Sequence, residues 1–201
     1  MSAPQGSEEW ALERCGKATS SEFHCVLAKG QGKMRAAYLR RIVAERLTGK
    51  PMETYSNAHM ERGQEQEPYA RMSYESITGS LVEEVGFIKH PNLEAGCSPD
   101  GLIGEDGGAE IKSVIPTVQL ETILRGGYPS EHQAQIQGSL WITGRKWWDF
   151  CSYSHDMPEH LKTYIFRVEP DADYILTLEA EARVFLKEVD AMVEQLLKRR
   201  T

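Results

Sequence analysis

Residues 98–112, SPDGLIGEDGGAEIK, constrain this chain more than any other stretch. Gly104, Gly107 and Gly108 predict a tight reversal between two short strands over 96–102 and 109–114. Alternate side chains of a strand share a face, so Glu110 and Lys112 point one way and Ile111 enters the core. Asp100, closing the preceding strand, then lies opposite Glu110 across the turn. Two carboxylates meeting on one side are costly unless a cation sits between them. All-oxygen ligands select Mg²⁺ or Mn²⁺. A lysine beside such an ion can orient or deprotonate a water, or neutralise charge building on a phosphate. The pattern outlines a metal-dependent phosphodiesterase. The alternative is a solvated acidic hairpin, because D-x9-E-x-K arises readily by chance in a chain with 30 acidic residues.

At 201 residues the chain fits one domain, 1–201, with a sizeable core. No apolar run approaches the length of a membrane span, and MSAPQGSEEW lacks the basic and apolar regions of a secretory leader. Cys15, Cys25, Cys97 and Cys151 are scattered, which predicts free thiols in a reducing cytoplasm, not a zinc site, an iron–sulfur cluster or a disulfide framework. The net charge of −7 argues against a basic DNA-coating protein. It does not exclude a nuclease, whose local potential and metal ions matter more than the total.

In chain order, a helix over 7–14 ends at Gly16, and TSSEF opens a second, capped by Thr19, Ser20 or Ser21. Arg14 and Ser21, with free backbone N–H groups, suit a phosphate pocket; the alternative is a capped surface helix with a solvated arginine. A strong helix follows over 32–47, ended by Gly49. Its polar face carries Lys33, Arg35, Arg40, Arg41 and Arg46, either a DNA-backbone surface or a solvated face. A helix over 56–76 contains Pro68, which predicts a kink near 64–68 that aims Glu67 into a site. The first strand is expected over 82–87. After a short helix, PSEHQAQIQGSLWITG reads as a helix to about Thr143. Its Gln133, Gln135 and Gln137 are either site amides or solvent-facing, with His132 on a neighbouring face. Two strands follow over 146–153 and 161–168, with Trp147 and Trp148 on opposite faces. His155, Asp156 and His160 between them read as an ordinary polar loop. A helix over 172–200 carries an apolar stripe that covers the sheet or a partner subunit. The order is that of an α/β fold with a central mixed β-sheet flanked by helices.

Several of these segments together resemble one known family. Pro99-Asp100 with Glu110-x-Lys112 has the form PD…ExK, and CSPDGL is close to the family's wording. Arg62-Gly63…Glu67-Pro68-x-Ala70-Arg71 resembles its acidic helical motif. Ala134-Gln135-Ile136-Gln137-x-x-Leu140-Trp141-Ile142-Thr143-Gly144 resembles its glutamine helix, and Arg14-x-Gly16…Thr19-x-Ser21-Glu22 its 5′-phosphate segment. The family is that of the phage-type alkaline exonucleases, lambda exonuclease and the YqaJ-like viral recombinases, within the PD-(D/E)xK superfamily. The resemblance implies a restriction-endonuclease-like core in which Asp100, Glu110, the Ile111 carbonyl and Glu67 hold Mg²⁺, with Mn²⁺ as substitute. It further implies that Lys112 activates the attacking water, Gln135 positions it, Arg14 and Ser21 grip a 5′-phosphate, and Met60 acts as a strand-separating wedge. The implied reaction is 5′→3′ digestion of linear double-stranded DNA to mononucleotides, leaving 3′ tails for phage recombination. A homotrimeric ring around DNA, a single-strand annealing partner and the cytoplasm of a bacterial host are implied with it. The competing readings are a superfamily endonuclease and a catalytically silent DNA-binding module.

Overall fold

The computed structural model describes residues 3–28, 32–52 and 58–199, with the side chains of 58–64 left out. Its centre is a four-stranded sheet in the order β4 (Gly101–Ile103), β5 (Gly107–Ser113), β6 (Trp147–Tyr153), β7 (Thr163–Val168). β5 and β6 pair in parallel over their whole lengths, from Gly107 opposite Trp147 to Ser113 opposite Tyr153. A parallel pair needs a long crossover, and α5 (Pro116–Arg125) and α6 (Gln133–Thr143) supply it. The outer pairs, β4 with β5 and β6 with β7, are antiparallel.

The helices bury the two faces of this sheet separately. On one face α4 (Ala58–Thr78) lays Ala70 and Tyr74 over Ala109, Ile111, Cys151 and Tyr153. On the other, Ile136 and Leu140 of α6 pack on Leu102, Trp148 and Phe150. A third cluster joins α2 (Phe23–Leu27), α3 (Lys33–Thr48) and α8 (Ala172–Leu197) to a small sheet of β1 (Ala18–Thr19), β3 (Ala95–Cys97) and β2 (Ile88–Lys89). The remaining helices are α1 (Glu8–Arg14), which Ser7 caps through its side chain, and α7 (Glu159–Lys162).

Several expectations are corrected. The strand expected over 82–87 reduces to one bridge, Glu83 to Leu102, and pairing begins at Ile88. Residues 96–102 are not one strand: the chain leaves the small sheet after Cys97 and enters the large one at Gly101. Pro99, which has no N–H to give a ladder, sits at the break. Gly107 and Gly108 belong to β5 and not to the turn, which is made at 104–106 with Gly104 at φ +52°. They are small for a packing reason. A Cβ on Gly108 stands 2.3 Å from the Trp148 ring and one on Gly107 stands 2.1 Å from Trp147. The stripe of α8 packs mainly on α2, α3 and α6, with Leu178, Ala182, Phe185 and Val189 buried, and Ile175 joins the cluster on the large sheet.

Candidate active site

β4 and β5 set Gly101 opposite Ala109, which brings Asp100 level with Glu110. The Ile111 N–H donates to Asp100 Oδ2 at 2.6 Å, so the backbone next to Glu110 fixes the aspartate. Glu110 is fully buried, and it forms an ion pair with Lys112. Even so, neither of its carboxylate oxygens has a well-directed hydrogen bond among the described residues. Asp149, one strand away and equally buried, shows how this fold satisfies a structural carboxylate. It accepts from Arg167 Nε at 2.9 Å, from a second Arg167 nitrogen at 3.0 Å and from Tyr74 Oη at 2.7 Å. Glu110 has no such cradle, and buried polar atoms left this way mark a missing partner.

The surrounding charges sharpen that picture. Burial pushes Glu110 up to about 7; Lys112 opposes the rise, while Asp100 and Glu67 add to it. Burial also raises Asp100, against Lys112, the Ile111 N–H and Arg71. Glu67 is raised by burial and then by Asp100. Burial acts to lower the pKa of the Lys112 ammonium, but Glu110 and Asp100 outweigh it and hold the group protonated. Three carboxylates each raised by burial, with Asp100 and Glu67 raising Glu110 further and Asp100 raising Glu67, are a donor set that fits a hard divalent cation. The Ile111 carbonyl lies on the same strand between Glu110 and Lys112.

Glu67 reaches this site from α4, one turn before the buried Ala70 that seats the helix on β5. The helix runs continuously from Ala58 to Thr78 with Pro68 inside it. Arg71 is drawn aside into an ion pair with Glu84. Glu67 and Asp100 line a cavity of about 330 Å³, its rim completed by Pro4, Gln5, Glu84, Val85 and Gly86. The side chain of Met60 lies outside the described residues.

The glutamines of α6 divide. Gln137 is buried and structural, donating to the Glu169 carbonyl and accepting from the Asp171 N–H. Gln133 and Gln135 are half-buried in the first turn. The Gln135 side chain forms no hydrogen bond with a described residue and sits one turn beyond His132. His132 stands at the N-terminus of the same helix. Its ring stacks on Phe150, the residue paired with Glu110, with centroids 5.4 Å apart. Burial, with Lys112 nearby, lowers its pKa to about 4, so the imidazole stands neutral beside the lysine.

Arg14 lines a second cavity with Glu45, while Ser21 is exposed and reaches it only through the Thr19 hydroxyl. Arg14, Lys17, Thr19 and Arg41 line a space of about 120 Å³, and the Thr19 and Ser21 hydroxyls are 3.3 Å apart. Trp10 packs its ring 4.0 Å from the Arg14 guanidinium and donates from Nε1 to Ser98 Oγ at 3.0 Å. The helix carrying Arg14 is therefore tied to the segment carrying Asp100. Gly16 closes the corner: its φ of +72° suits glycine, and a Cβ there meets Arg46 at 2.8 Å. Its N–H donates to Glu45 and its carbonyl accepts from Arg46. The basic face of α3 is not one free surface, since Arg35, Arg41 and Arg46 are paired with Glu188, Glu22 and Asp190. Arg41 is the pocket residue that sequence reasoning had assigned elsewhere. What brings it there is the contact of Glu45 and Arg46 of α3 with the Cys15–Gly16 corner, which joins segments some 30 residues apart.

Comparison with known proteins agrees with this architecture. The profile of the YqaJ-like viral recombinase domain matches residues 9–146. The crystal structure of the alkaline exonuclease LHK-Exo from Laribacter hongkongensis is 38% identical, with a TM-score of 0.88, over 96% of this chain and 97% of that one. The same enzyme in complex with dAMP gives 39% identity and a TM-score of 0.88 over 94% and 96%. A phage-related exonuclease from Haemophilus somnus 129PT shares the fold at 12% identity, with a TM-score of 0.70 over 90% and 96%. No curated protein matches the chain. With more than half its length matched to the domain profile and an alkaline exonuclease superposing over nearly all of it, the chain belongs to the YqaJ-like viral recombinase family.

Proposed function

We propose that this chain is a divalent-metal-dependent 5′→3′ exodeoxyribonuclease that removes mononucleotides from the 5′-phosphorylated strand of linear double-stranded DNA. The observation that carries the proposal is the fully buried Glu110, whose carboxylate has the Lys112 ammonium but no well-directed hydrogen bond among the described residues, beside Asp100 and Glu67. Asp100, Glu110, the Ile111 carbonyl and Glu67 hold Mg²⁺, for which Mn²⁺ substitutes. When bound, the cation supplies Lewis-acid stabilisation to the phosphoryl group under attack. Lys112, whose ammonium Glu110 and Asp100 favour, orients or activates the attacking water or steadies phosphate charge. Gln135 donates from the first turn of α6 to the same water or phosphate. Arg14, Ser21 and Arg41 take the 5′-terminal phosphate in charge-assisted hydrogen bonds.

The dAMP bound by LHK-Exo is a deoxynucleoside monophosphate, the product class that such cleavage releases. The net charge of −7 is compatible with DNA binding if basic groups are gathered where the duplex passes. A homotrimeric ring does this and explains processive digestion. The 3′ tails it leaves are the substrate of a single-strand annealing protein in phage recombination within a bacterial cytoplasm. No helix among the described residues is long and apolar enough to cross a membrane. The test compares linear duplexes bearing a 5′-phosphate or a 5′-hydroxyl with a closed circle, in Mg²⁺ and in EDTA. Mg²⁺-dependent loss of the 5′-phosphorylated strand with the circle spared is the expected result. Cutting of the circle transfers the protein to an endonuclease reading and strips Arg14 and Ser21 of their roles.

A further inference from the structure

Glu22, His24 and Cys25 gather at the start of α2, away from the carboxylate site. One ligand atom from each lies within 4.8 Å of the others. Cys25 Sγ is 3.4 Å from Glu22 Oε2 and 3.3 Å from His24 Nε2. In a tetrahedral zinc site a sulfur and a neighbouring nitrogen or oxygen stand about 3.5 Å apart, given bonds of about 2.3 and 2.0–2.1 Å. The trio already has nearly that spacing.

The outer atoms of the same side chains are also held. His24 Nδ1 lies 3.1 Å from the Ser21 carbonyl; donation there fixes the tautomer and leaves the Nε2 lone pair facing Cys25. Glu22 Oε1 accepts from Arg41 at 2.9 Å, which leaves Oε2 for the centre. An entry path exists, because Glu22 and Cys25 line a cavity of about 280 Å³ with Met34, Ala37, Tyr38 and Arg41. Ligand identity, spacing, outer-atom support and access are the features by which a metal site is recognised. His24 is exposed, so the fourth position faces solvent.

We infer that Glu22, His24 and Cys25 form a second metal site, for a thiophilic divalent cation of the zinc class, distinct from the Mg²⁺ carboxylates. Binding exchanges the Cys25 thiol proton for the metal: the S–H bond breaks, a thiolate–metal bond forms and one proton goes to solvent. The site lies one residue from Ser21 and shares Arg41 with the cavity beside Arg14, so its charge sits at the edge of that pocket.

The test is a Co²⁺ titration of the whole chain in saturating Mg²⁺, read by absorption, followed by Zn²⁺ competition. The expected result is a near-ultraviolet thiolate-to-cobalt band with tetrahedral visible absorption, saturating at one ion per chain and displaced by Zn²⁺. Cys25→Ser abolishes the band. His24→Ala, a change at an exposed position that leaves the fold intact, weakens apparent Co²⁺ affinity at least about tenfold. Glu110→Gln retains the band. Absence of a thiolate band in the native chain overturns the inference, leaving a thiol hydrogen-bonded to its neighbours only. So does a band that survives Cys25→Ser, or one whose affinity is unchanged in His24→Ala.

Discussion

Replacing Glu110 by glutamine tests whether this buried carboxylate is held at a cost that a cation relieves. Burial raises its pKa from an ordinary 4.5 to about 7. The folded protein thus binds this proton more tightly than the unfolded chain, and stability falls as pH rises from about 4.5 through 7. By linkage the loss amounts to about 3 kcal/mol above pH 7. Glu110→Gln resembles the protonated side chain and avoids that loss. In EDTA at pH 8 the variant should melt higher than the native chain, by up to roughly 6–12 °C for a chain of this size. At pH 4.5 the two should melt together. Mg²⁺ at pH 8 should raise the melting temperature of the native chain and leave the variant nearly unmoved. A variant that melts lower than the native chain in EDTA at pH 8 refutes the reasoning, because the carboxylate would then be stabilising without metal.

Four other outcomes follow from the same geometry. Lys112→Gln should lower the cleavage rate roughly 10²- to 10⁴-fold while the Mg²⁺-induced melting shift persists, separating water orientation from metal binding. Arg14→Ala should cost about 1.5–3 kcal/mol in binding a terminal phosphate, so preference for a 5′-phosphate over a 5′-hydroxyl falls roughly 10- to 100-fold in competition digests. Gly108→Ala should lose about 1–3 kcal/mol in denaturant unfolding, since its Cβ would stand 2.3 Å from the Trp148 ring. His132, with its pKa lowered to about 4, should stay neutral between pH 5 and 9 by NMR. Its stabilising effect is complete above pH 6.5 and is lost as pH falls toward 4, where the unfolded imidazole protonates first.

Much of the helical structure was legible because local signals fix it. Ser7 caps α1, Gly49 ends α3 with φ +65°, and the 3.6-residue stripe of α8 names Leu178, Ala182, Phe185 and Val189 as buried. The strand face shared by Glu110 and Lys112 follows from period two alone. What stayed hidden depends on contacts between distant segments. Gly107 and Gly108 look like turn residues until Trp147 and Trp148 of the parallel strand are seen to occupy the space of their side chains. Gln137 looks like a solvent amide until residues 169–171 fold back over it. The basic face of α3 looks free until Glu188 and Asp190, some 150 positions later, arrive to pair with it. Cys25 looks solitary in sequence terms, and only the tight opening of α2 turns Glu22 and His24 toward it.

The central claim, that Asp100, Glu110 and the Ile111 carbonyl together hold the divalent cation that hydrolysis requires, is tested most directly by anomalous scattering from crystals grown with Mn²⁺ and a deoxynucleoside monophosphate. The account predicts the strongest manganese peak within coordination distance of those three oxygen donors, with Glu67 bound directly or through water. Carboxylates left bare, with manganese found only elsewhere on the chain, would contradict it.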